Sequence, residues 1–248
     1  MKLFLHQLHT EQLLYWRSRE SAVFTFIFPL LLFVLLGSVY SGRIYGVPAS
    51  EALLAALLAY GCAMVAFAGL AITLVIRREQ SLLKRLRATP LPPPTFLLSL
   101  LASTLIFFAL EVVALFLLGR AVFGTAFPSR IGSIVLVVVF GVVCFAALGV
   151  GLSGLVRSAE GSSAVVNLIV LPMAFLTGAF GPTRHYPRVL RAIGDVLPLK
   201  YLVDLTNAVY LHHHSFWSRP AAIGVLAAWG VAGLLVAALK FRWEPTAS

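Results

Sequence analysis

Long stretches of apolar residues without a single charge constrain this chain more than any other feature. One of them, residues 52–76, is mostly alanine and leucine and contains no Asp, Glu, Lys or Arg. A helix needs about 20 apolar residues to cross the hydrocarbon core of a bilayer. The composition agrees, since 60% of the residues are hydrophobic and only 11% are charged, whereas about a quarter of a soluble domain is charged. We predict six transmembrane helices, at residues 22–41, 52–76, 95–118, 131–156, 161–181 and 220–239.

These stretches predict helices rather than strands, and hence an all-α polytopic membrane protein. Lipid offers no hydrogen-bond partner to the backbone, so only helices and closed barrels can cross it. A barrel strand alternates polar and apolar residues, and the six stretches show no such alternation. We therefore expect a single transmembrane domain over residues 1–248.

The first twenty residues carry several charges and predict a helix that lies on the membrane surface. A helix of this kind keeps an apolar face in lipid and a polar face in water. We expect residues 1–20 to form such an amphipathic interfacial helix. Its apolar arc on a helical wheel consists of Phe4, Leu5, Leu8, Tyr15 and Trp16.

The distribution of Lys and Arg predicts the orientation of the chain. Three basic residues precede the first span and five follow the second, against one and two in the loops on the opposite side. Because basic residues concentrate in cytoplasmic loops, we expect both termini in the cytoplasm. The net charge of +10 then meets anionic lipid headgroups, and nucleic acid is not an expected partner. The connection at 184–219 weakens this count, because it has five basic residues on the predicted outside.

The connection at residues 77–94 predicts a short rigid helix just beneath the membrane. Leu82, Leu83 and Leu86 form an apolar edge at helical spacing, with basic residues around it. The prolines from Pro90 onward end this helix and restart the chain into the third span. An ordinary positively charged loop remains the alternative.

A second unusual connection, residues 182–217, has prolines spaced through apolar and aromatic residues. We expect it to form a broken helix or re-entrant hairpin on the outer side, before the last span. Its irregular backbone would have to pack in protein, because lipid cannot satisfy it.

Both connections resemble the ABC type-2 (ABC-2) transporter permease family, the membrane subunits of bacterial drug and polysaccharide exporters. Residues 78–91 read REQSLLKRLRATPL, which is similar to the family's cytoplasmic stretch between spans two and three. Residues 171–178 read LPMAFLTG and are followed by prolines and by YLVD at 201–204, similar to the family's external segment. Residues 241–245 are a weaker third match. The departures from the family pattern are Ser81, Leu82 and Asn207.

The resemblance implies the membrane half of an ATP-driven exporter in a bacterial inner membrane. Two permease copies, identical or related, would assemble with separate ATPase subunits that bind ATP and Mg²⁺, while this chain would hold no cofactor. The sequence contains no Gly-x-x-x-x-Gly-Lys-[Ser/Thr] phosphate loop. Residues 77–90 would form the coupling helix that sits in a groove of the ATPase. The expected coupling residues are Arg77, Arg78, Glu79, Leu82, Leu83, Lys84, Arg85, Leu86 and Arg87.

Glu111 is the one carboxylate inside a predicted span, near the outer end of the third. A charge there is costly without a partner or water, so we expect a substrate-pathway or gating residue, with a structural hydrogen bond between helices as the alternative. The family's route runs near spans two and five, which adds Phe67, Asn167 and Phe175 as pathway candidates, with ordinary packing as the alternative. The external segment would act as a gate, with candidate residues Thr177, Gly178, Pro182, Pro187, Pro198 and Asp204.

Two enzyme-like signals have simpler interpretations. Residues 151–154, Gly-Leu-Ser-Gly, match the motif of rhomboid intramembrane proteases, whose serine needs a histidine base within reach. The sixth span contains no histidine, so close helix packing by small residues is favoured. The adjacent histidines 212–214 cannot all face one ion on a helix, so we expect a loop there and no metal site.

We therefore predict an exporter permease that moves a lipophilic drug, a lipid or a glycan outward by alternating access. A membrane-embedded enzyme or a secondary transporter is the alternative. The first needs convergent catalytic residues at one depth, and the second usually shows internal repeats and paired intramembrane charges. The sequence shows none of these clearly.

Overall fold

The structure, a computed structural model, describes residues 2–17, 19–40, 42–44, 46–88 and 91–241. This part of the chain consists of helices and one short β-hairpin, which confirms the predicted all-α polytopic architecture. The weaker match at residues 242–245 lies outside the described residues. The elements are α1 (Lys2–Arg17), α2 (Arg19–Val39), β1 (Arg43–Ile44), β2 (Val47–Pro48), α3 (Ala49–Cys62), a π-helical segment (Ala63–Gly69), α4 (Leu70–Glu79), α5 (Leu82–Arg87), α6 (Pro93–Phe123), α7 (Ile131–Leu155), α8 (Ala159–Leu176), α9 (Arg188–Val196), α10 (Pro198–Tyr210), a 3₁₀ turn (Phe216–Ser218) and α11 (Pro220–Lys240).

The long helices correspond to the predicted spans. α2, at the first predicted span, has 21 residues, or about 31 Å of helix. Its apolar stretch, Phe26–Val39, is shorter than those of the other five spans. The other helical stretches, at predicted spans two to six, are long and apolar enough to cross a membrane: Ala49–Glu79, Pro93–Phe123, Ile131–Leu155, Ala159–Leu176 and Pro220–Lys240.

The stretch Ala49–Glu79, here called the central helix, forms the core of the bundle. It joins α3, the π-helical segment and α4 without a break, and 89% of its apolar stretch is buried inside the chain. Its many alanines let α2, α6, α7 and α10 pack directly against it. We call the end where it begins, next to β1 and β2, the hairpin end, and the end where it stops the α5 end.

The closest helix pair, α7 and α11, depends on glycine. A Cβ atom on Gly151 would lie 2.6 Å from the carbonyl oxygen of Gly233, and one on Gly233 would lie 2.6 Å from the backbone nitrogen of Leu148. The hydroxyl of Ser153 donates to the carbonyl of Val150 at 2.7 Å. These contacts support the interpretation of residues 151–154 as a packing motif.

α6, which contains Glu111, is longer than the predicted third span. It begins at Pro93, since proline suits the first turn of a helix, and it ends at Gly124, whose φ of +67° is left-handed. Glu111 therefore lies about 27 Å along the helix from its first residue and about 18 Å from its last. Glu111 is nearer the outer end of α6 than its start, and its depth in the membrane stays a prediction.

The predicted broken helix before the last span is present as α9 and α10. The two helices meet at Leu197, whose extended backbone is the conformation that a following proline favours. α10 buries one face against α3, α7 and α11. The backbone therefore packs in protein here, and re-entry into the membrane stays a prediction.

Candidate functional site

At the α5 end, α5 presents one buried and one exposed face. A turn with Ser81 in the left-handed region (φ 57°) separates it from α4. Leu83 is fully buried and Leu86 packs against the core, while Lys84 is exposed. Leu82 is 38% exposed, because it lies about 100° around the helix from Leu83. Of the predicted apolar edge, Leu83 and Leu86 therefore pack inward and Leu82 faces outward.

The exposed face of α5 is basic. Lys84 and Arg85 both point away from the bundle. Arg87 ends the helix, and its side chain lies outside the described part of the chain. A partner of this face would meet Leu82 flanked by cations.

Arg77, in the last turn of α4, forms a bidentate ion pair with Glu11 of α1. The distances are 2.9 Å from Nη1 to Oε1 and 2.6 Å from Nη2 to Oε2. Gln7 adds a third bond by donating to Glu11 Oε1 at 2.7 Å. Glu11 is only 3% exposed, and such paired geometry is what makes a buried charge tolerable.

Arg78, the next residue, is buried and fastens α4 to the end of α7. Its guanidinium donates to the carbonyl of Ser153 at 2.8 Å and to the carbonyl of Val156. The last carbonyls of a helix have no partner within the helix, and they carry the negative end of its dipole. At the end of α7, the buried guanidinium of Arg78 gives these carbonyls hydrogen-bond donors and places a positive charge at the negative end of the dipole.

Glu79 completes this turn by binding the start of α8. Its Oε2 accepts a hydrogen bond from the backbone nitrogen of Ala159 at 2.6 Å. The N-terminal nitrogens of a helix favour a carboxylate in the same way that the C-terminal carbonyls favour a cation. We call Glu11, Arg77, Arg78 and Glu79 the junction, because one turn of α4 holds α1, α7 and α8 together.

The junction divides the predicted coupling residues into two groups. Arg77, Arg78 and Glu79 have partners within the chain, whereas Leu82, Lys84 and Arg85 face outward. Sequence reasoning did not find Glu11 as the partner of Arg77. A signal was available in the sequence: Glu11 is an acidic residue of the predicted surface helix. That helix lies on the same predicted side of the membrane as the five basic residues after the second span.

Glu111 lies inside the bundle, opposite Gly61 of the central helix. A Cβ atom on Gly61 would lie 2.5 Å from Glu111 Oε1. Glu111 is fully buried, and among the described residues neither of its carboxylate oxygens has a hydrogen-bond partner. A charged carboxylate in such a place is costly, and a pathway or gating role for Glu111 stays a prediction.

The other pathway candidates occupy two different environments. Phe67 is buried in the π-helical segment. Asn167 and Phe175 are exposed on one side of α8, two turns apart. Only 28% of the apolar stretch of α8 is buried inside the chain, and Asn167 lies at its middle. We call Ser163, Asn167, Leu171 and Phe175 the α8 face.

The candidate gate residues also separate. Thr177, Gly178 and Asp204 line one cavity of about 360 Å³ at the hairpin end. Asp204 pairs with Lys200 at 2.7 Å, and Gly178 needs its positive φ of +82° for the turn after α8. The three prolines shape the backbone instead: Pro182 lies in the connection after α8, Pro187 precedes α9, and Pro198 begins α10.

The histidine run lies in a loop. His213 has a left-handed φ of +54° and its Nδ1 lies 2.9 Å from Ser129 Oγ. Within the described ranges, no group of three His, Cys, Asp or Glu side chains is arranged to hold a metal ion.

Known proteins similar to this chain are membrane permeases by name. The family described as "ABC-2 type transporter" matches residues 3–211. The "Inner membrane transport permease YhhJ" of Escherichia coli (strain K12) is 24% identical over 170 residues, which is 68% of this chain and 46% of YhhJ. The "Putative transport permease YvfS" of Bacillus subtilis (strain 168) is 29% identical over 130 residues, 52% of this chain and 53% of YvfS. The chain spans about half the length of these curated relatives.

Proposed function

This chain belongs to the ABC-2 type transporter family, and on that premise we propose that it is the membrane permease of an ATP-driven exporter. Separate ATPase subunits bind ATP and Mg²⁺, and the permease moves a lipophilic drug, a lipid or a glycan outward by alternating access. The α5 end faces the cytoplasm, and the protein lies in the inner membrane. The names of the two relatives support a permease, and the basic residues at the α5 end support the orientation.

The observation that carries this proposal is that α5 exposes a basic face while its other face is packed against the helix bundle. α5 offers Leu82, Lys84 and Arg85 to a partner, and its other face is fixed by buried Leu83. Only two residues connect α5 to α4, so a force applied to α5 acts directly on α4. Because the junction ties α4 to α1, α7 and α8, the same force reaches three further helices.

The partner of α5 is an ATPase subunit with an acidic groove. Complementary charge orients such a docking and speeds the encounter. In this scheme the junction residues do not touch the ATPase and instead distribute its movement among the helices.

A second permease copy, identical or related, covers the α8 face. An exposed asparagine at the middle of a membrane span is costly against lipid, whereas it suits a helix interface or a water-filled pathway. The low burial of α8 within one chain supports this location. Asn167 and Phe175 then line the pathway between two copies, and Phe67 and Glu111 lie behind it.

The test separates binding of the ATPase to α5 from transmission of its movement to the other helices. The tagged chain is purified with its ATPase, and substrate efflux is measured in the same cells. Arg85→Glu is expected to reduce ATPase co-purification by at least about tenfold, since it replaces an attraction by a repulsion. Glu79→Ala is expected to keep the ATPase bound and to reduce efflux, because it frees the start of α8.

Arg191→Glu is the matched control, since it reverses an exposed arginine at the other end, on α9. It is expected to leave co-purification and efflux unchanged. Full ATPase binding and full efflux in the Arg85→Glu variant would contradict the assignment of α5.

A further inference from the structure

An open cavity of about 450 Å³ at the hairpin end is lined only by basic, hydroxyl and imidazole side chains. It lies where α7 and α11 begin, far from the junction and from α5. None of its lining residues is acidic, so nothing in its wall neutralises the arginines. We call it the basic cavity, and it consists of Arg130, His213, His214, Ser215, Ser218 and Arg219.

Its two arginines occupy positions that helices disfavour for a cation. Arg130 directly precedes α7 and Arg219 directly precedes α11, with nearly the same backbone angles. Residues at these positions are usually Ser, Thr, Asp or Asn, which accept hydrogen bonds from the helix. The positive end of the helix dipole repels an arginine. Neither guanidinium has a hydrogen bond or ion pair within the described part of the chain.

The loop that supplies the other four residues is held in place. The backbone nitrogen of Phe216 donates to Ser133 Oγ of α7 at 3.3 Å, and the ring of Phe216 packs edge-to-face on Phe140. The contact between His213 and Ser129 fixes the start of the loop. The cavity is therefore preorganised, which lowers the cost of binding.

A large apolar rim adjoins the cavity. Trp217, between two lining residues, is 70% exposed, and Ile131, at the start of α7, is 68% exposed. Tryptophan concentrates where the membrane meets water. An exposed tryptophan beside an exposed isoleucine is the composition expected of a site at headgroup depth.

From these observations we propose that the basic cavity binds the phosphate of an anionic membrane lipid. The two guanidiniums bind the phosphate oxygens, as arginine forks do, and the hydroxyls of Ser215 and Ser218 add donors. The acyl chains lie along Trp217 and Ile131. The ligand class is a phospholipid with net negative charge in the leaflet opposite the α5 end. Arg219 also lines the cavity that contains Thr177, Gly178 and Asp204, but the lipid proposal does not rest on the exporter function.

The proposal explains a feature that the orientation rule does not. Basic residues gather on the side opposite the cytoplasm in this chain, at Arg130 and in the connection 184–219. A lipid-binding role accounts for two of these cations, Arg130 and Arg219, without reversing the topology.

The test measures lipid binding by the full chain in neutral detergent. Binding of dioleoylphosphatidylglycerol is followed by native mass spectrometry. The zwitterionic lipid dioleoylphosphatidylcholine, which has no net charge, is one comparison, and glycerol 3-phosphate and inorganic phosphate are the tail-free comparisons. The double variant Arg130→Gln/Arg219→Gln is expected to bind the anionic lipid at least about tenfold more weakly. The matched control Arg188→Gln/Arg191→Gln removes two exposed arginines of α9 and is expected to bind as the wild type does.

Equal binding by the double variant and the wild type would overturn the proposal. Phosphate or glycerol 3-phosphate binding as tightly as the lipid would overturn the lipid assignment and indicate a site for free anions. If the double variant does not fold, Arg130→Gln alone decides the question. It is expected to bind the lipid several-fold more weakly while its lipid-free melting temperature does not fall, and a lower melting temperature with unchanged lipid binding would show a structural arginine.

Discussion

The two ends of α7 each meet an arginine, with opposite physical consequences. At its last residues, Arg78 is buried and donates to carbonyls that the helix leaves without partners. Just before its first residue, Arg130 is exposed, has no side-chain partner in the described chain, and adds positive charge to a positive helix end. Arg78 stabilises the fold, whereas Arg130 is repelled by the positive end of the helix dipole. A basic residue beside a membrane span can therefore have either a structural role or a role outside the fold.

The largest expected effect comes from Arg78→Gln. The variant loses the bonds to two buried carbonyls, and each orphaned group costs about 1–3 kcal/mol. We expect a large drop in the melting temperature of the detergent-solubilised protein and a loss of monodisperse material. Arg85→Gln, which removes an exposed cation two turns later, serves as the control. Equal melting temperatures for the two variants would remove the contrast between the ends of α7.

A smaller effect is expected from Glu11→Gln, which tests whether the α5 end acts as one unit. Arg77 would keep its position with its charge uncompensated, at a cost of about 2–3 kcal/mol after allowing for its partial exposure. Thermal unfolding of Glu11→Gln, Arg77→Gln and the double variant forms a cycle. We expect the double variant to be more stable than the sum of the single effects, and strict additivity would show that the pair does not interact.

The smallest expected effect has the opposite sign. Arg130→Asp places a capping carboxylate at the start of α7, which should raise lipid-free stability by about 1 kcal/mol. The same change at Arg120, in the last turn of α6 at the same end of the bundle, should lower stability, because there the dipole favours the cation. Melting temperatures without added lipid check both. A loss of stability in Arg130→Asp would mean that Arg130 is structural, like Arg78.

The spans were predictable because every segment that crosses lipid must be apolar, helical and about 20 residues long. The six predicted spans fall on α2, the central helix, α6, α7, α8 and α11, although α6 and α8 end five residues away from the predicted bounds. Leucine spacing and the prolines indicated the short helix α5, and the spaced prolines indicated a broken helix before the last span. These are local properties of the chain.

The contacts of the junction were not predictable, because they join distant parts of the sequence. Arg77 and Glu11 are 66 positions apart and Arg78 and Ser153 are 75 positions apart. The rule that assigns basic residues to the cytoplasm does not distinguish an arginine in water from one buried against helix carbonyls. The length of α6 was not predictable from hydropathy alone, since α6 extends beyond the predicted span and carries Arg120 within its last turn.

The π-helical segment has a mechanical consequence for the central helix. In a π-helix each nitrogen reaches back five residues rather than four, so a change to α-helical bonding would rewind the chain below it. Such a change would rotate α4, and with it Arg78 and Glu79, about the helix axis relative to Gly61. An uninterrupted α-helix at the same place would have no such rotation available to it.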